Sequence, residues 1–241
     1  MRTRNTTEEI TSVTKLWRFL DKLQDSQTRI YRGQDIDEAL LPKYWRDAKR
    51  RGLADPLATE QRLLDTFRRL SPPYLDHLPG DTFEWLAVAQ HHGLPTRLLD
   101  WTCNPLFALW FAVRNGPSAE AGRNGVLWVL DVQDEHYIPQ TEKSMDVYEL
   151  RRTRVFRPPH ITERIVAQDG WFTVHWYIEK ENKFVPLEKQ RRFKSHMKSA
   201  AIPRSAFAPL NSELRRLGLS DHVLFPDLVT LCKELAAELF V

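Results

Sequence analysis

Apolar residues recur along the chain at two spacings, and each change of spacing marks a new element. Over residues 11–23, Val13, Leu16, Trp17 and Leu20 follow a helical period behind Ser and Thr capping residues, which predicts a first helix. Ile30 and Tyr31 make a short strand that ends at Arg32-Gly33. Residues 39–55 are interrupted by Pro42 and carry the basic run Lys49, Arg50 and Arg51, so they read as a loop with a helical turn. A clear helix follows over 57–70, with Leu57, Leu63, Leu64, Phe67 and Leu70 on one face. Another spans 83–90, capped by Asp81 or Thr82 and burying Trp85, Leu86 and Ala89. Gly93 can take the left-handed conformation that ends it, and Pro95 prevents continuation. Residues 96–99 are then too short for a helix and read as a strand. Asn104-Pro105 is a helix start, a capping side chain followed by proline at the first helical position. Leu106, Leu109, Trp110 and Val113 make that helix nearly all core, packed on a sheet.

In the second half, 116–125 reads as a solvated loop. The plainest strand is 125–132, apolar almost throughout and so central. A strand at 163–167 leads to a turn at Gln168-Asp169-Gly170, with 171–176 returning antiparallel. Ala201-Ile202-Pro203 suggests a short edge strand. A helix over 210–217 stops at Gly218, and a last one, 228–239, is expected to dock through Leu228, Leu231, Leu235 and Leu239. Strands and helices mix without a regular βαβ alternation, which predicts α+β architecture. No linker divides the chain, so the expectation is one domain over 1–241 with its N-terminal and C-terminal helices packed on the core.

The chain has 241 residues and is 42% hydrophobic, enough for one sizeable core. No apolar run reaches the length that spans a bilayer, and the polar start is unlike a signal peptide. Cys103 and Cys232 are far apart and not spaced as metal ligands. A cytoplasmic, reduced protein with no membrane partner is the expectation. The net charge of +3 says little about partners. Its distribution says more: Lys189, Arg191, Arg192, Lys194, Lys198 and Arg204 form a basic run that suits phosphate or nucleic-acid backbone, or else a solvated face.

Candidate chemistry is concentrated between two apolar segments, where His91, His92, Thr96, Arg97 and Asp100 crowd together. Buried polar groups need partners, so this cluster is either an internal network or a site. Arg97 and Asp100 also suit a buried structural pair. Arg32 beside Gly33 at a strand end is a place for backbone to approach a ligand, or for a turn with a structural ion pair. Familiar phosphate loops, dinucleotide fingerprints, HExxH helices and nucleophile elbows are absent. His91-His92 with Asp100 is a weak metal set, and no metal is expected. Cys103 near a helix start is a possible nucleophile or a buried spectator thiol.

Tyr31-Arg32-Gly33, the run from Gln90-His91-His92-Gly93 through Arg97-Leu98-Leu99-Asp100-Trp101-Thr102, Pro105, Gln168-Asp169-Gly170-Trp171-Phe172 and Leu224-Phe225-Pro226-Asp227-Leu228 together resemble the FRG domain family. That family in turn resembles ADP-ribosyltransferases, which implies a split, bent, mixed β core with surrounding helices and a cleft for NAD. The resemblance places Arg32 in the phosphate-anchoring role and Thr102 in the hydroxyl role. Gln168 falls at the late position, where a glutamate is expected. Glutamine can hydrogen-bond a ribose hydroxyl but cannot act as a carboxylate base. Asp100 or Asp227 is then the substitute carboxylate.

The activity so implied is an NAD-consuming ADP-ribosyltransferase or NAD glycohydrolase, of a toxin or antiviral-defence kind, with a protein or nucleic-acid acceptor and NAD as substrate. Arg32, His92, Asp100 and Gln168 are its expected catalytic residues. Arg32, Gly33, Thr96, Arg97, Thr102 and Gln168 are expected to bind the dinucleotide. The alternatives are a noncatalytic nucleotide or nucleic-acid sensor, and a nuclease.

Overall fold

A computed structural model describes residues 8–115, 123–142, 145–159 and 167–239. In chain order the elements are α1 (Val13–Leu20), β1 (Arg29–Gln34), α2 (Lys43–Arg51), α3 (Pro56–Leu70), α4 (Thr82–His91), β2 (Leu98–Thr102), α5 (Pro105–Val113) and β3 (Gly125–Asp131). There follow β4 (Arg154–Phe156), β5 (Gly170–Val174), β6 (Tyr177–Ile178), β7 (Lys183–Phe184), β8 (Met197–Ile202), α6 (Phe207–Arg216) and α7 (Leu228–Leu239). Six strands form one sheet in the order β4-β5-β2-β1-β3-β8, and β6 and β7 form a separate ribbon. The architecture is α+β, as expected. The sheet itself is not mixed: every pairing of named strands is antiparallel, and among the described residues parallel pairing is confined to the isolated bridges Glu9–Ala201 and Tyr137–Val155.

Alternation along the strands divides the core. Tyr31, Leu127, Val129 and Ala200 face α5, α1 and α6, where Leu109, Trp110, Leu16 and Leu210 are fully buried. Ile30, Leu99, Trp101, Trp128 and Leu130 face the other way, under Leu40, Leu187 and Phe193. Leu98, Phe172 and Val174 pack against Leu64 of α3 and Leu86 and Ala87 of α4. As the period predicts, β3 is buried almost throughout, between β1 and the edge strand β8.

Capping follows the sequence closely. Asn104 Oδ1 accepts from Leu106 N at 2.9 Å, with Pro105 opening α5. Asp81, rather than Thr82, caps α4 through Glu84 N at 2.8 Å. Gly93 ends α4 with φ +90°. Other elements are shifted. Residues 39–55 contain a true helix, α2, because Tyr44 and Ala48 are spaced one turn apart on a buried face and Gly52 closes it at φ +64°. On α3 the buried positions are Pro56, Glu60 and Leu64, while Leu70 is 54% exposed. The strand expected at 96–99 begins only at Leu98, because Thr96 and Arg97 are turned aside by the polar contacts described below. Residues 163–166 lie outside the described residues. β5 pairs with β2 and β4. The apolar stripe of α7 does not dock as expected: Leu228, Leu235 and Leu239 are 75%, 49% and 79% exposed. This helix is tied down by Glu234, which accepts from His222 N at 3.0 Å and lies 3.5 Å from Arg215.

Two features place the cleft. β1 pairs with β3 along its whole length, from Arg29–Asp131 to Gln34–Val126, yet meets β2 only at Tyr31–Thr102. Beyond that pair, the neighbouring strands part. Helix α5 lies against β1 at Gly33, where an added Cβ would sit 1.8 Å from the Ala108 carbonyl oxygen and 2.9 Å from Ala112 N. Gly33 was expected to admit a ligand; the group that approaches so closely is the backbone of α5.

His175, just beyond β5, is fully buried, and burial, with the charges of Arg32 and Arg97 added, pushes its pKa down to about 3. Its Nε2 lies 3.2 Å from Thr173 Oγ1, which accepts from Trp101 Nε1 at 3.1 Å.

Gly33→Ala should cost on the order of 3 kcal/mol by overpacking, read as a lowered urea midpoint with unchanged slope. His175 gives a pH signature. Unfolded histidine takes up a proton below about 6.5, whereas the folded side chain stays neutral until about 3. Between these values the unfolded state binds more protons, so stability falls as pH falls. Thermal melts of His175→Gln between pH 7.5 and 4.5 should show a flatter acid limb than the parent chain. Parallel limbs would refute a neutral buried His175.

Candidate functional site

Where β1 and β2 part, a cleft of about 470 Å³ opens, and its walls include Arg32, Gly33, Asp100, Thr102 and Gln168. Residues 32, 100 and 168 are far apart in sequence. Strand register brings them together: β1 and β5 flank β2, and Thr102 pairs with Tyr31 on one side and Gly170 on the other.

Arg32 projects from β1 with a side chain only 16% exposed, and burial lowers its pKa from the ordinary value. An arginine so placed still holds its proton. Its Nη1 donates to the Asp100 carbonyl oxygen at 2.7 Å and lies 3.7 Å from Asp100 Oδ2. The guanidinium thus satisfies a strand carbonyl at the split. Its buried Nε has no partner among the described residues.

The Asp100 side chain is 55% exposed, the exposed position of an otherwise buried strand. Its Oδ1 accepts from Gln90 Nε2 at 2.6 Å. Thr102 is buried, and its Oγ1 accepts from Asn104 N at 3.1 Å, which leaves the hydroxyl proton for another acceptor. Gln168 is held differently: its Nε2 donates to the Leu224 carbonyl at 2.8 Å.

Other expected site residues are elsewhere. His92 is exposed and outside the cleft, because it is the C-cap of α4, its N–H bonded to Val88 O at 3.2 Å and the chain turning at Gly93. His91, its neighbour, borders a small hollow shared with Asp100 and Gln168. Thr96 and Arg97 also do not line the cleft. Thr96 is buried, donates to Gln90 Oε1 and accepts from Leu98 N at 3.1 Å. Arg97 is 1% exposed and forms a two-bond pair with Glu60, Nε to Oε1 at 3.0 Å and Nη2 to Oε2 at 2.5 Å. Burial acts to lower the Arg97 pKa, but the Glu60 carboxylate outweighs it and the value is raised. Tyr148 covers the guanidinium at 4.5 Å. Asp227, the other substitute carboxylate considered, accepts from Thr230 N and Oγ1 and is not a cleft residue.

Sequence reasoning missed several members of this neighbourhood. Arg46 of α2 lines the cleft with Glu38, 3.4 Å apart. Arg114, at the end of α5, lies 5.6 Å over Phe111 and 4.9 Å over Phe225. Gln90 was legible only as part of a family motif. The one cue to Glu60 is a polar residue one turn before Leu64 on the inner face of α3.

Cys103 is not an activated nucleophile: burial pushes its thiol up to about 11. Among the described residues Glu135, His136 and His196 have metal-like spacing, their ligand atoms within 4.8 Å. However, His136 Nδ1 accepts from Gln133 N at 3.0 Å, which puts the proton on Nε2, 2.9 Å from the Arg192 carbonyl. Both ring nitrogens are committed to backbone.

The Arg97–Glu60 pair carries a stability prediction. Arg97→Met alone leaves a buried carboxylate unpaired and should cost about 3–5 kcal/mol. Arg97→Met with Glu60→Leu should recover a large part of that loss in the same denaturant titration. Additive losses in the double variant would rule out a tightly coupled pair.

A family model for the FRG domain matches residues 27–121. No curated protein and no solved structure matches the chain. The matched span runs from β1 past α5 and so contains Arg32, Gly33, Gln90, Asp100 and Thr102, while Gln168 falls beyond it. The two parting strands and the helix against Gly33 all lie inside the match, so residues 27–121 are similar to the FRG domain.

Proposed function

We propose that the cleft binds NAD⁺ and breaks the bond between nicotinamide and ribose. The observation that carries this reading is the meeting of a nearly buried arginine and an exposed carboxylate where β1 and β2 part. The cleft volume, about 470 Å³, is within the range of small-molecule sites. The likeness of the FRG family to ADP-ribosyltransferases supports the choice of dinucleotide.

In this reading Arg32 anchors the diphosphate through its charge and its unpartnered Nε. The Asp100 carboxylate faces the ribose. As the C–N bond breaks, its electron pair leaves with neutral nicotinamide and positive charge develops on the ribose as an oxocarbenium ion. A fixed carboxylate stabilises that charge. Water then adds to the ribose carbon and loses a proton, giving ADP-ribose. An acceptor hydroxyl, amine or ring nitrogen adding instead gives ADP-ribosylation. Thr102 and Gln168 supply hydrogen bonds to ribose hydroxyls. His92, Thr96 and Arg97 have no part in this scheme, since none of them reaches the cleft. The exposed Lys189, Arg191, Lys194 and Lys198 are a surface for a phosphate-bearing acceptor.

A second reading is a noncatalytic nucleotide or nucleic-acid sensor. Gln168 favours it, since a neutral amide tied to the Leu224 carbonyl stands at the late position.

Purified protein incubated with NAD⁺, alone and with protein and nucleic-acid acceptors, should release nicotinamide measurable by chromatography. Arg32→Ala and Asp100→Asn, each with the circular dichroism of the parent, should each lower that release at least about 100-fold. Full turnover by folded Arg32→Ala would refute the assignment. No release under any acceptor condition, with salt-dependent nucleotide or RNA binding, would replace it with the sensor.

A further inference from the structure

The Asp100 carboxylate does not stand alone. Gln90, at the end of α4, donates from Nε2 to Asp100 Oδ1 at 2.6 Å. Which end of the Gln90 amide faces Asp100 follows from Asp100 itself, whose carboxylate oxygen accepts, and the other end meets the Thr96 hydroxyl. Leu98 N–H donates to Thr96 Oγ1 at 3.1 Å, and the Thr96 hydroxyl donates in turn to Gln90 Oε1. Rotating the amide by half a turn would set Oε1 against Asp100 Oδ1, two acceptors with no proton between them unless Asp100 is protonated.

The contacts therefore form a directed series: backbone N–H to threonine, threonine to glutamine, glutamine to aspartate. Its members arise from one short stretch, because Gly93 turns the chain so that residues 96 and 100 come back beside residue 90.

We propose that Gln90 is a positioning residue for the reaction: with its Oε1 engaged by Thr96, it holds Asp100 Oδ1, with Oδ2 turned towards Arg32 and the cleft. This rests on the reading of Asp100 as the group that faces the ribose. Gln90 itself touches no substrate. A neutral donor suits the task. A cation in its place would compete with the developing charge on the ribose for the same carboxylate, and a second carboxylate would force the pair to share a proton.

The test uses the full chain labelled with ¹³C at aspartate and glutamate carboxyls, with Asp100→Asn to assign the Asp100 signal. Its titration is followed by NMR in the parent, Gln90→Glu and Gln90→Met. In Gln90→Glu the two carboxylates replace a 2.6 Å donor–acceptor contact, so the upper step of the pair should lie at least about one pH unit above the parent titration. In Gln90→Met the shift should have the same sign and be smaller, since a donor to the charged form is lost. Near-UV circular dichroism checks packing, and if Gln90→Glu does not fold then Gln90→Met decides.

Nicotinamide release is measured on the same samples. In Gln90→Glu, kcat should fall by at least about tenfold at neutral pH with little change in KM, and the acid limb of its pH profile should move with the Asp100 titration. An Asp100 titration that superimposes on the parent in the folded variants overturns the proposal, whatever the activity. A shifted titration without nicotinamide release from any protein sustains the hold on Asp100 and overturns the NAD reading on which its catalytic role depends.

Discussion

Helix α5 lies so close to β1 that position 33 has room for a hydrogen and nothing larger. This single constraint sets much of the molecule. It seats Leu109, Trp110 and Ala112 on the sheet. It puts Ala108, Phe111 and Arg114 along one wall of the cleft. It also fixes α5 relative to β2, since only Cys103 and Asn104 separate the strand from the helix. A cleft built this way has a floor of backbone, and its shape is as stiff as the core beneath it.

The same region solves a hydrogen-bonding problem. Two neighbouring strands that part leave carbonyls and amides without ladder partners, and such groups are costly to bury. At Asp100 the missing partner is supplied by the Arg32 guanidinium, 2.7 Å from the carbonyl oxygen. The arginine is thereby ordered at the mouth of the split, with an unmet Nε left over. The side chain that meets this structural need is thereby held in place beside the cleft.

Much of this was legible in the sequence where the cause is local. Asn104-Pro105, Gly93 and the run 125–132 each act through neighbours within a few residues, and α5, the end of α4 and β3 appear where they were expected. Arg32, Gly33, Asp100, Thr102 and Gln168, each a candidate in the sequence, line one cleft. Arg97 could not be separated from them, because what removes it from the site is Glu60, a residue 37 positions away on another helix. Thr96 likewise looks like a ligand contact until Gln90 is seen to claim its hydroxyl proton. His92 lies outside the cleft because it is the C-cap of α4, just before the turn at Gly93. The exposed stripe on α7 shows that helical amphipathicity identifies an apolar face without saying whether this chain covers it.

The matched span does not complete the cleft. Gln168 lies beyond residue 121, and it is fixed by the carbonyl of Leu224, near the end of the chain. The same short segment reaches the opposite wall, where Phe225 lies under the Arg114 guanidinium and Asp221 is 4.0 Å from it. That segment is held in turn from α7, where Glu234 accepts from His222 N at 3.0 Å and from its Nδ1 at 2.7 Å. Burial acts to raise the Glu234 pKa, but these hydrogen bonds outweigh it and the value is lowered, so the carboxylate is present as the anion that the contact requires. The weak apolar docking of α7 is thus offset by a charged and hydrogen-bonded one. Two walls of the cleft therefore depend on the last third of the chain, while Arg32, Asp100 and Gln90 are fixed within the span that matches the FRG domain.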